Sequence, residues 1–361
     1  MVVMSRSSNV DAFQQRFGLR LPILLSPMAG ACPVALSAAV ANAGGMGAMG
    51  AVLSQPQDIA TWMAGFRAAS TGPAQVNLWI PDPAPARDAA AEARLRGFLA
   101  QWGPAVPASA GDAAPADFDA QFDALLAARP AVASSIMGVF DPDQVARLKA
   151  AGIAWFACAT TLQEARAAQD AGADAVVAQG AEAGGHRGAF EAGQAERQMT
   201  GLFALLPRLV DHLDIPVIAA GGIADARGIA AALTLGASAV QIGTGLLRTP
   251  EAGVPSAWAQ ALAQSEPEHT WPTRAFSGRL GRALATPYVQ AAAAAGAPPP
   301  APYPVQRGLT APMRQAAASD DRLAAMQAWA GQSAWLAPAR PAADVVTQWW
   351  AQAQAQAQAW R

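Results

Sequence analysis

Eight short apolar runs, each followed by a stretch with helical character, recur along this 361-residue chain. They span residues 22–30, 47–54, 74–80, 131–140, 154–160, 174–180, 216–222 and 239–247. A strand exposed on one face would alternate apolar with polar residues, so unbroken runs indicate a parallel sheet covered by helices. Eight such units favour a closed barrel over an open sheet. The predicted fold is therefore α/β, with a (β/α)8 TIM barrel.

Two helix starts support this division of the chain. Asp141, Pro142 and Gln144 supply an N-cap acceptor, a proline at the first helical position and a capping-box partner. Thr161 and Glu164 repeat the capping box one unit later. Both starts directly follow predicted strands, which fixes the order of strand and helix at these points.

Two segments depart from the alternation of strand and helix. Residues 81–130 are rich in Pro and Ala, with one helix expected around 87–101. Residues 265–361 hold six of the eleven tryptophans, and such large side chains are expected to pack. We expect a barrel from 20–80 and 131–264, and a smaller lid or second domain from 81–130 and 265–361.

Composition excludes several classes of function. The formal net charge is −2 with 14% charged residues and no basic block, so neither nucleic acid nor a membrane surface is an expected partner. Cys32 and Cys158 have no disulfide-framework or metal-ligand spacing, which predicts no metal site and favours a reducing compartment. No apolar segment has the length of a signal peptide or a membrane span. The sequence therefore predicts a cytoplasmic protein, and it gives no oligomeric state.

One glycine motif is misleading. Gly45, Gly47 and Gly50 have the G-x-G-x-x-G spacing of dinucleotide-binding folds. That fingerprint requires a strand before the glycines and a helix after them, whereas here a helix-like stretch precedes and a strand follows. A helix C-cap at residues 44–45 explains the first glycines instead.

A better phosphate site is expected after the seventh and eighth strands. Phosphate commonly lies between these two loops in such barrels, where backbone N–H groups and a helix N-terminus offer donors. Gly221, Gly222 and Gly243 permit a close backbone approach there, and the Thr244 hydroxyl adds a donor. A phosphate at this place implies a phosphorylated substrate or a nucleotide-like cofactor.

Two amide side chains follow other predicted strands. Asn77 and Gln179 end the third and sixth runs and are expected to project toward the barrel mouth. An amide offers a donor and an acceptor, which suits the edge of a flavin pyrimidine ring. Each amide could instead satisfy neighbouring backbone groups.

Several segments together resemble one enzyme family, the nitronate monooxygenases, formerly called 2-nitropropane dioxygenases. The segments are PMAG, AVANAGGMGAMGA, QVNLWI, AQGAEAGGHRGAF, PVIAAGGIADARGIAAALTLGASAVQIGT, FSGR and WAGQSA, and the similarity runs over residues 21–336. The resemblance implies an FMN-binding TIM barrel with a smaller second domain. It also implies oxidation of alkyl nitronates by molecular oxygen to carbonyl compounds and nitrite.

The family's cofactor and catalytic residues can be carried over by position. The resemblance places the cofactor-binding residues at Pro27, Met28, Ala29, Asn77, Gln179, Gly184, Gly222, Gln241, Ile242, Gly243 and Thr244. Gly221 joins this set from the phosphate argument above. His186 matches the family's catalytic histidine.

His186 is one of only three histidines, and its loop is rich in glycine. Gly184, Gly185 and Gly188 would let that loop approach the flavin, and an imidazole can exchange protons near neutral pH. His186 is expected to accept a proton from the carbon beside a nitro group, or to orient an already ionised nitronate. His212 and His269 lack such settings and are expected to be structural or solvated.

This chain also departs from the commoner family pattern. Ile136 and Met137 stand where relatives carry an aromatic residue and a histidine, so the pocket wall is altered. Tyr303 lies in a segment that resembles one near the family's substrate. Glu182 and Arg187 could assist at the pocket or pair with each other at the surface. Two other functions stay open: an NAD(P)H-dependent flavin reductase acting on quinones or enoyl thioesters, and a non-redox barrel that binds a phosphorylated ligand.

Overall fold

The strands of the computed structural model, which describes residues 6–359, form two sheets. They are β1 (Ile23–Leu25), β2 (Gly47–Gly50), β3 (Ala74–Trp79), β4 (Val132–Ile136), β5 (Ala154–Ala159), β6 (Ala175–Gln179), β7 (Gly185–His186), β8 (Val217–Ala220), β9 (Ala239–Ile242), β10 (Thr270–Thr273) and β11 (Gly281–Leu284). The larger sheet has eight parallel strands in the order β1-β9-β8-β6-β5-β4-β3-β2. Each of them falls within one of the eight predicted runs.

The eight-stranded sheet closes on itself between β1 and β2. Leu25 N donates to Met46 O at 2.9 Å, and Met46 N donates to Ile23 O at 3.1 Å. These hydrogen bonds make neighbours of β1 and β2, the first and last strands in the order of the sheet. The predicted TIM barrel is confirmed.

Helices surround the barrel and continue beyond it. They are α1 (Arg6–Phe17), α2 (Val34–Ala43), α3 (Pro56–Ala69), α4 (Ala89–Leu99), α5 (Phe118–Ala128), α6 (Pro142–Ala150), α7 (Leu162–Asp170), α8 (Leu202–Val210), α9 (Ala226–Thr234), α10 (Ser256–Ala263), α11 (Pro287–Ala293), α12 (Val305–Leu309), α13 (Ala311–Ser319) and α14 (Ala342–Ala359). Both predicted capping boxes are present, at the starts of α6 and α7. None of the helices within residues 6–359 is both long and apolar enough to cross a membrane.

Gly45 N donates to Val40 O at the end of a helix, and Gly47 and Gly50 are the first and last residues of a strand. Helix α2 ends at Ala43, Gly44 caps it with φ +105°, and strand β2 follows. This order, helix then strand, is the reverse of the dinucleotide-binding arrangement. The rejection of that fingerprint is confirmed.

Helix α1 covers the amino-terminal end of the barrel. Its Phe13 and Phe17 pack against Phe156 of β5, and Arg16 forms an ion pair with Asp174 just before β6. Phe13 and Phe156 are buried in a cluster that fills the barrel interior at this end. The barrel is therefore plugged at one end, and only the carboxyl ends of the strands are left for a ligand.

A second apolar core lies between the later helices. It contains buried side chains of α4, α11, α12 and α13, including Leu99, Tyr288, Leu309 and Met313. Helices α5 and α14, however, pack into the core of the barrel itself. Since 81–130 and 265–361 each contribute to both cores, the expected division into a barrel and a smaller domain stays a prediction.

The smaller sheet ties these later elements to the barrel. Strand β7, which carries His186, pairs antiparallel with β11, and β11 pairs with β10. The loop after β6 is thus held by a sheet whose other strands come from the C-terminal region. Both parts of the chain are needed to position His186.

Candidate functional site

A cavity lies at the carboxyl ends of the barrel strands, opposite α1. Every predicted cofactor residue except Ile242 lines it, and so does His186. The lining members of that set are Pro27, Met28, Ala29, Asn77, Gln179, Gly184, Gly221, Gly222, Gln241, Gly243 and Thr244. The Ile242 side chain instead packs in the barrel core, so only its backbone could take part in binding. The loops of separate strands therefore converge on one place.

One end of this cavity is built from backbone. Gly221 and Gly222 have φ of +107° and +71°, conformations that side chains other than glycine rarely adopt. Neither Gly222 N–H nor Gly243 N–H donates a hydrogen bond within the part of the chain described. Unpaired N–H donors without side chains beside them fit a phosphate group, as the sequence predicted for these loops.

A third glycine brings a distant segment against this end. A Cβ on Gly184 would lie 2.5 Å from Gly331 N and 2.8 Å from Thr244 Oγ1, so no side chain fits there. Gly331 N donates to Thr244 Oγ1 at 3.0 Å. The Thr244 hydroxyl keeps its proton for another acceptor. Residues near 331 were missed as site residues, although WAGQSA was among the segments that carried the resemblance.

Amide side chains line the inner part of the cavity. Gln75 Nε2 donates to Leu25 O at 3.0 Å and to Gln241 Oε1 at 3.1 Å, which leaves the Gln241 amide nitrogen as a free donor. Asn77 Nδ2 donates to Ser134 Oγ at 3.1 Å, which leaves the Asn77 carbonyl as an acceptor. This mixed set of donors and acceptors fits a flavin ring edge.

Gln179 has a different role in the structure. Its Nε2 donates to His186 O at 2.9 Å, and its Oε1 accepts from Gly188 N at 2.8 Å. The amide therefore fastens the His186 loop to the end of β6. Of the two interpretations open for Gln179, the geometry favours hydrogen bonding to backbone groups. One N–H of the Gln179 amide has no partner among these bonds.

Glu182 and Arg187 do not pair with each other. Both Glu182 carboxylate oxygens accept from Leu202 N, at 2.9 and 3.0 Å, and so stabilise the start of α8. Arg187 is buried and donates to the backbone oxygens of Gln179 and Gln198. Both residues hold loops in place, and the surface ion pair, one of the two alternatives left open, is absent from residues 6–359.

His186 lies between two tryptophans and beside a serine. Its ring centroid is 4.7 Å from that of Trp79 and 4.8 Å from that of Trp329. His186 Nε2 is 2.8 Å from Ser277 Oγ. Trp79 in turn stacks on Tyr303 at 5.0 Å, so the expected tyrosine contacts the wall of the site. Of the residues at the fourth strand, Ile136 lines the cavity and Met137 is buried in one cluster with Trp79 and Tyr303.

The surroundings of His186 disfavour a positive charge on its ring. Burial, together with the guanidinium groups of Arg307, Arg279 and Arg314, lowers the pKa of His186 to about 3. The imidazole is therefore neutral at pH 7, with one nitrogen protonated and the other free to accept. Asp82 pairs with Arg279, but no carboxylate pairs with Arg307 or Arg314 within residues 6–359.

Arg307 is the cavity cation that sequence reasoning missed. Its side chain lines the cavity and makes no hydrogen bond or ion pair to any group between residues 6 and 359. Burial lowers its pKa, yet the guanidinium remains charged at pH 7. The only sequence signal was its position four residues after Tyr303. An unpaired cation in a half-buried cavity favours an anionic ligand.

The two thiols are poor nucleophiles in this setting. Burial raises the pKa of Cys158, which lines the cavity, to about 12, and that of Cys32 to about 11. Both are therefore protonated at neutral pH. Neither thiol is therefore available as a thiolate in the cavity.

Comparison with known proteins agrees with this geometry. The family model described as nitronate monooxygenase matches residues 13–351. A nitronate monooxygenase of Paraburkholderia phytofirmans is 39% identical over 92% of this chain and 92% of its own length. One of Pseudomonas aeruginosa is also 39% identical, over 93% and 97%. Among solved structures, a nitroalkane oxidase from Streptomyces ansochromogenes has a TM-score of 0.85 and 36% identity, covering 96% of this chain and 99% of that one.

Proposed function

Because this chain belongs to the nitronate monooxygenase family, we propose that it catalyses the FMN-dependent oxidation of alkyl nitronates by molecular oxygen. The expected products are a carbonyl compound and nitrite. The observation that carries the proposal is the unpaired Arg307 guanidinium in the same cavity as the neutral His186 imidazole. A nitronate is an anion, and the cavity offers it a cation and no competing carboxylate at Arg307.

The chain's residues fit FMN in the cavity. The free N–H groups of Gly222 and Gly243 would hold the phosphate, with Thr244 beside them. Asn77 and Gln241 would hold polar atoms of the ring, and Pro27, Met28 and Ala29 would lie along it. When bound, FMN supplies the redox chemistry by taking electrons from the nitronate for transfer to oxygen.

Arg307 would bind the nitronate oxygens. A guanidinium presents paired N–H donors whose spacing matches two oxygens on one atom. Trp79, Trp329 and Ile136 would contact the alkyl part of the substrate, since these apolar side chains line the same cavity. Such walls also exclude water from the reacting carbon.

His186 would accept a proton when the substrate arrives as a neutral nitroalkane. Its lowered pKa makes it a weaker base than an ordinary histidine, by about 5 kcal/mol for a shift from 6.5 to about 3. Proton removal from a neutral nitroalkane is therefore costly, whereas a nitronate needs no such step. We expect the nitronate to be the better substrate.

Arginine and histidine variants test these two roles separately. Arg307→Met is expected to raise KM for a nitronate about 10- to 100-fold, the loss of one charged hydrogen-bonded contact. Arg307→Lys, which keeps the charge without the paired donors, should lie between wild type and Arg307→Met. The matched control is Arg322→Met, because Arg322 is an exposed arginine outside the cavity. Equal KM values in all four proteins would refute the anion site.

His186→Asn is expected to lower kcat/KM for a neutral nitroalkane about 100-fold, with a smaller change for the nitronate. If both activities stay at the wild-type level, the assignment of His186 is wrong.

An absorbance scan and anaerobic mixing test the cofactor and the other functions. Rapid bleaching by NADH or NADPH but not by a nitronate would favour a reductase, and a colourless protein that retains no added FMN would favour the non-redox barrel.

A further inference from the structure

We infer that Ser277 is a positioning residue that holds the His186 imidazole in one tautomer, with the proton on Nε2 and the lone pair on Nδ1. Ser277 lies 91 residues after His186, in the loop between β10 and β11, and it is fully buried. The identification of Nδ1 as the atom that meets substrate rests on the proposed function. The tautomer itself does not.

Counting donors and acceptors selects this tautomer. Ser277 Oγ lies 2.8 Å from His186 Nε2 and 3.2 Å from Arg279 O. The hydroxyl has one proton, and Arg279 O accepts from no other group in residues 6–359. If that proton goes to Arg279 O, then Nε2 must carry a proton and donate it to Ser277 Oγ. The opposite choice would leave a buried carbonyl without a hydrogen-bond donor, which is unfavourable.

The serine cannot easily move away from this arrangement. Phe276 O accepts from the Thr310 hydroxyl at 2.6 Å, and Gln306 Nε2 donates to Ala275 O at 2.7 Å. Gly278 follows with φ +90°, and a Cβ there would lie 2.5 Å from Ala301 O. The backbone on both sides of Ser277 is therefore held in place, and this fixes the position of the Ser277 hydroxyl.

Nδ1 is left as the reactive atom of the ring. It has no hydrogen-bond partner within residues 6–359, and His186 lines the cavity between Trp79 and Trp329. A lone pair accepts a proton but repels a nitronate oxygen. Arg307 and His186 would therefore contact different parts of the substrate. The nitro oxygens would lie at the Arg307 guanidinium, and the carbon-bound proton would lie at His186 Nδ1.

The experiment is NMR of the protein labelled with ¹⁵N histidine, in the state in which it is purified. Long-range proton–nitrogen correlations at about pH 8, above the ordinary pKa of histidine, distinguish protonated from unprotonated ring nitrogens. Only three histidines contribute, and the signal lost in His186→Asn identifies His186. His212 serves as an internal reference with the opposite tautomer, protonated on Nδ1. Its Nδ1 lies 2.9 Å from the acceptor Arg208 O, and its Nε2 lies 2.8 Å from the donor Arg208 Nη1.

Wild type is expected to show His186 protonated on Nε2. Ser277→Ala removes the acceptor and should shift the Nε2–H to Nδ1–H ratio toward Nδ1–H about fivefold, the factor that loss of one ordinary hydrogen bond produces. Ser277→Thr keeps the hydroxyl and should restore the wild-type ratio. Ser135→Ala is the matched control, since Ser135 is a fully buried serine of the same cavity that does not contact His186.

A wild-type His186 protonated on Nδ1 overturns the inference at once, without any variant. So does an unchanged ratio in folded Ser277→Ala, or an equal shift in Ser135→Ala. Failure of the proposed function has a different signature, because the protein would then not turn over nitronate or nitroalkane while His186 kept its proton on Nε2.

Discussion

The free energy of unfolding should depend on pH through His186. In the unfolded chain this histidine has its ordinary pKa of 6.5, whereas burial and three guanidiniums lower the folded pKa to about 3. Between these values the unfolded state binds a proton that the folded state does not. The stability that His186 contributes is therefore present above pH 6.5 and is lost progressively as the pH falls toward 3.

At pH 5 the loss due to this one residue amounts to about 2 kcal/mol relative to pH 8. His186→Asn removes the titrating group, so wild type should lose about 2 kcal/mol more than the variant between these two pH values. Urea unfolding of both proteins at the same FMN concentration measures the difference. The other titrating groups are common to both proteins and cancel.

If wild type and His186→Asn lost equal stability between pH 8 and pH 5, the folded imidazole would be as easily protonated as the unfolded one. The ring would then be solvated or faced by an anion. The argument for a neutral, weakly basic His186 would fail with it.

Three further variants test the surroundings of the cavity. Asp82→Asn should lower the free energy of unfolding by about 3 kcal/mol, because the buried Arg279 loses its carboxylate partner; an unchanged urea midpoint would contradict this. Gly222→Ala should strain a backbone at φ +71° by about 1 kcal/mol and weaken FMN binding, measured by flavin fluorescence, and unaltered affinity would argue against a phosphate there. Glu182→Gln should cost about 1 kcal/mol of stability at the start of α8, and a lower kcat with unchanged stability would instead place Glu182 in the reaction.

Much of the barrel could be predicted because its signals are local. An unbroken apolar run reports burial on both faces of a strand, and the boxes at Asp141 and Thr161 report helix starts within four residues. Glycines that end strands likewise mark where backbone can approach a ligand. The residues chosen because they end strands all line the cavity: Asn77, Gln179, Gly221, Gly222, Gly243 and Thr244.

The roles of individual polar groups could not be predicted in this way. The sequence left Gln179 open to a flavin or to backbone groups, and the structure shows that the His186 loop uses both ends of its amide. Glu182 and Arg187 are five residues apart, yet their partners are at Leu202 and at separate backbone oxygens. A side chain's chemistry is in the sequence, but its partner depends on the path of the chain.

The sequence by itself determined the alternation of strand and helix, the glycine loops at the strand ends and the family to which the chain belongs. Only the tertiary structure decided that Ser277 contacts His186, that Arg307 lies in the same cavity, and that the pKa of the imidazole is lowered there. Strand and helix patterns repeat over a few residues, so they are visible along the chain. Desolvation and hydrogen bonding act between groups that lie about a hundred residues apart in sequence, and they exist only after the barrel has closed and β11 has paired with β7.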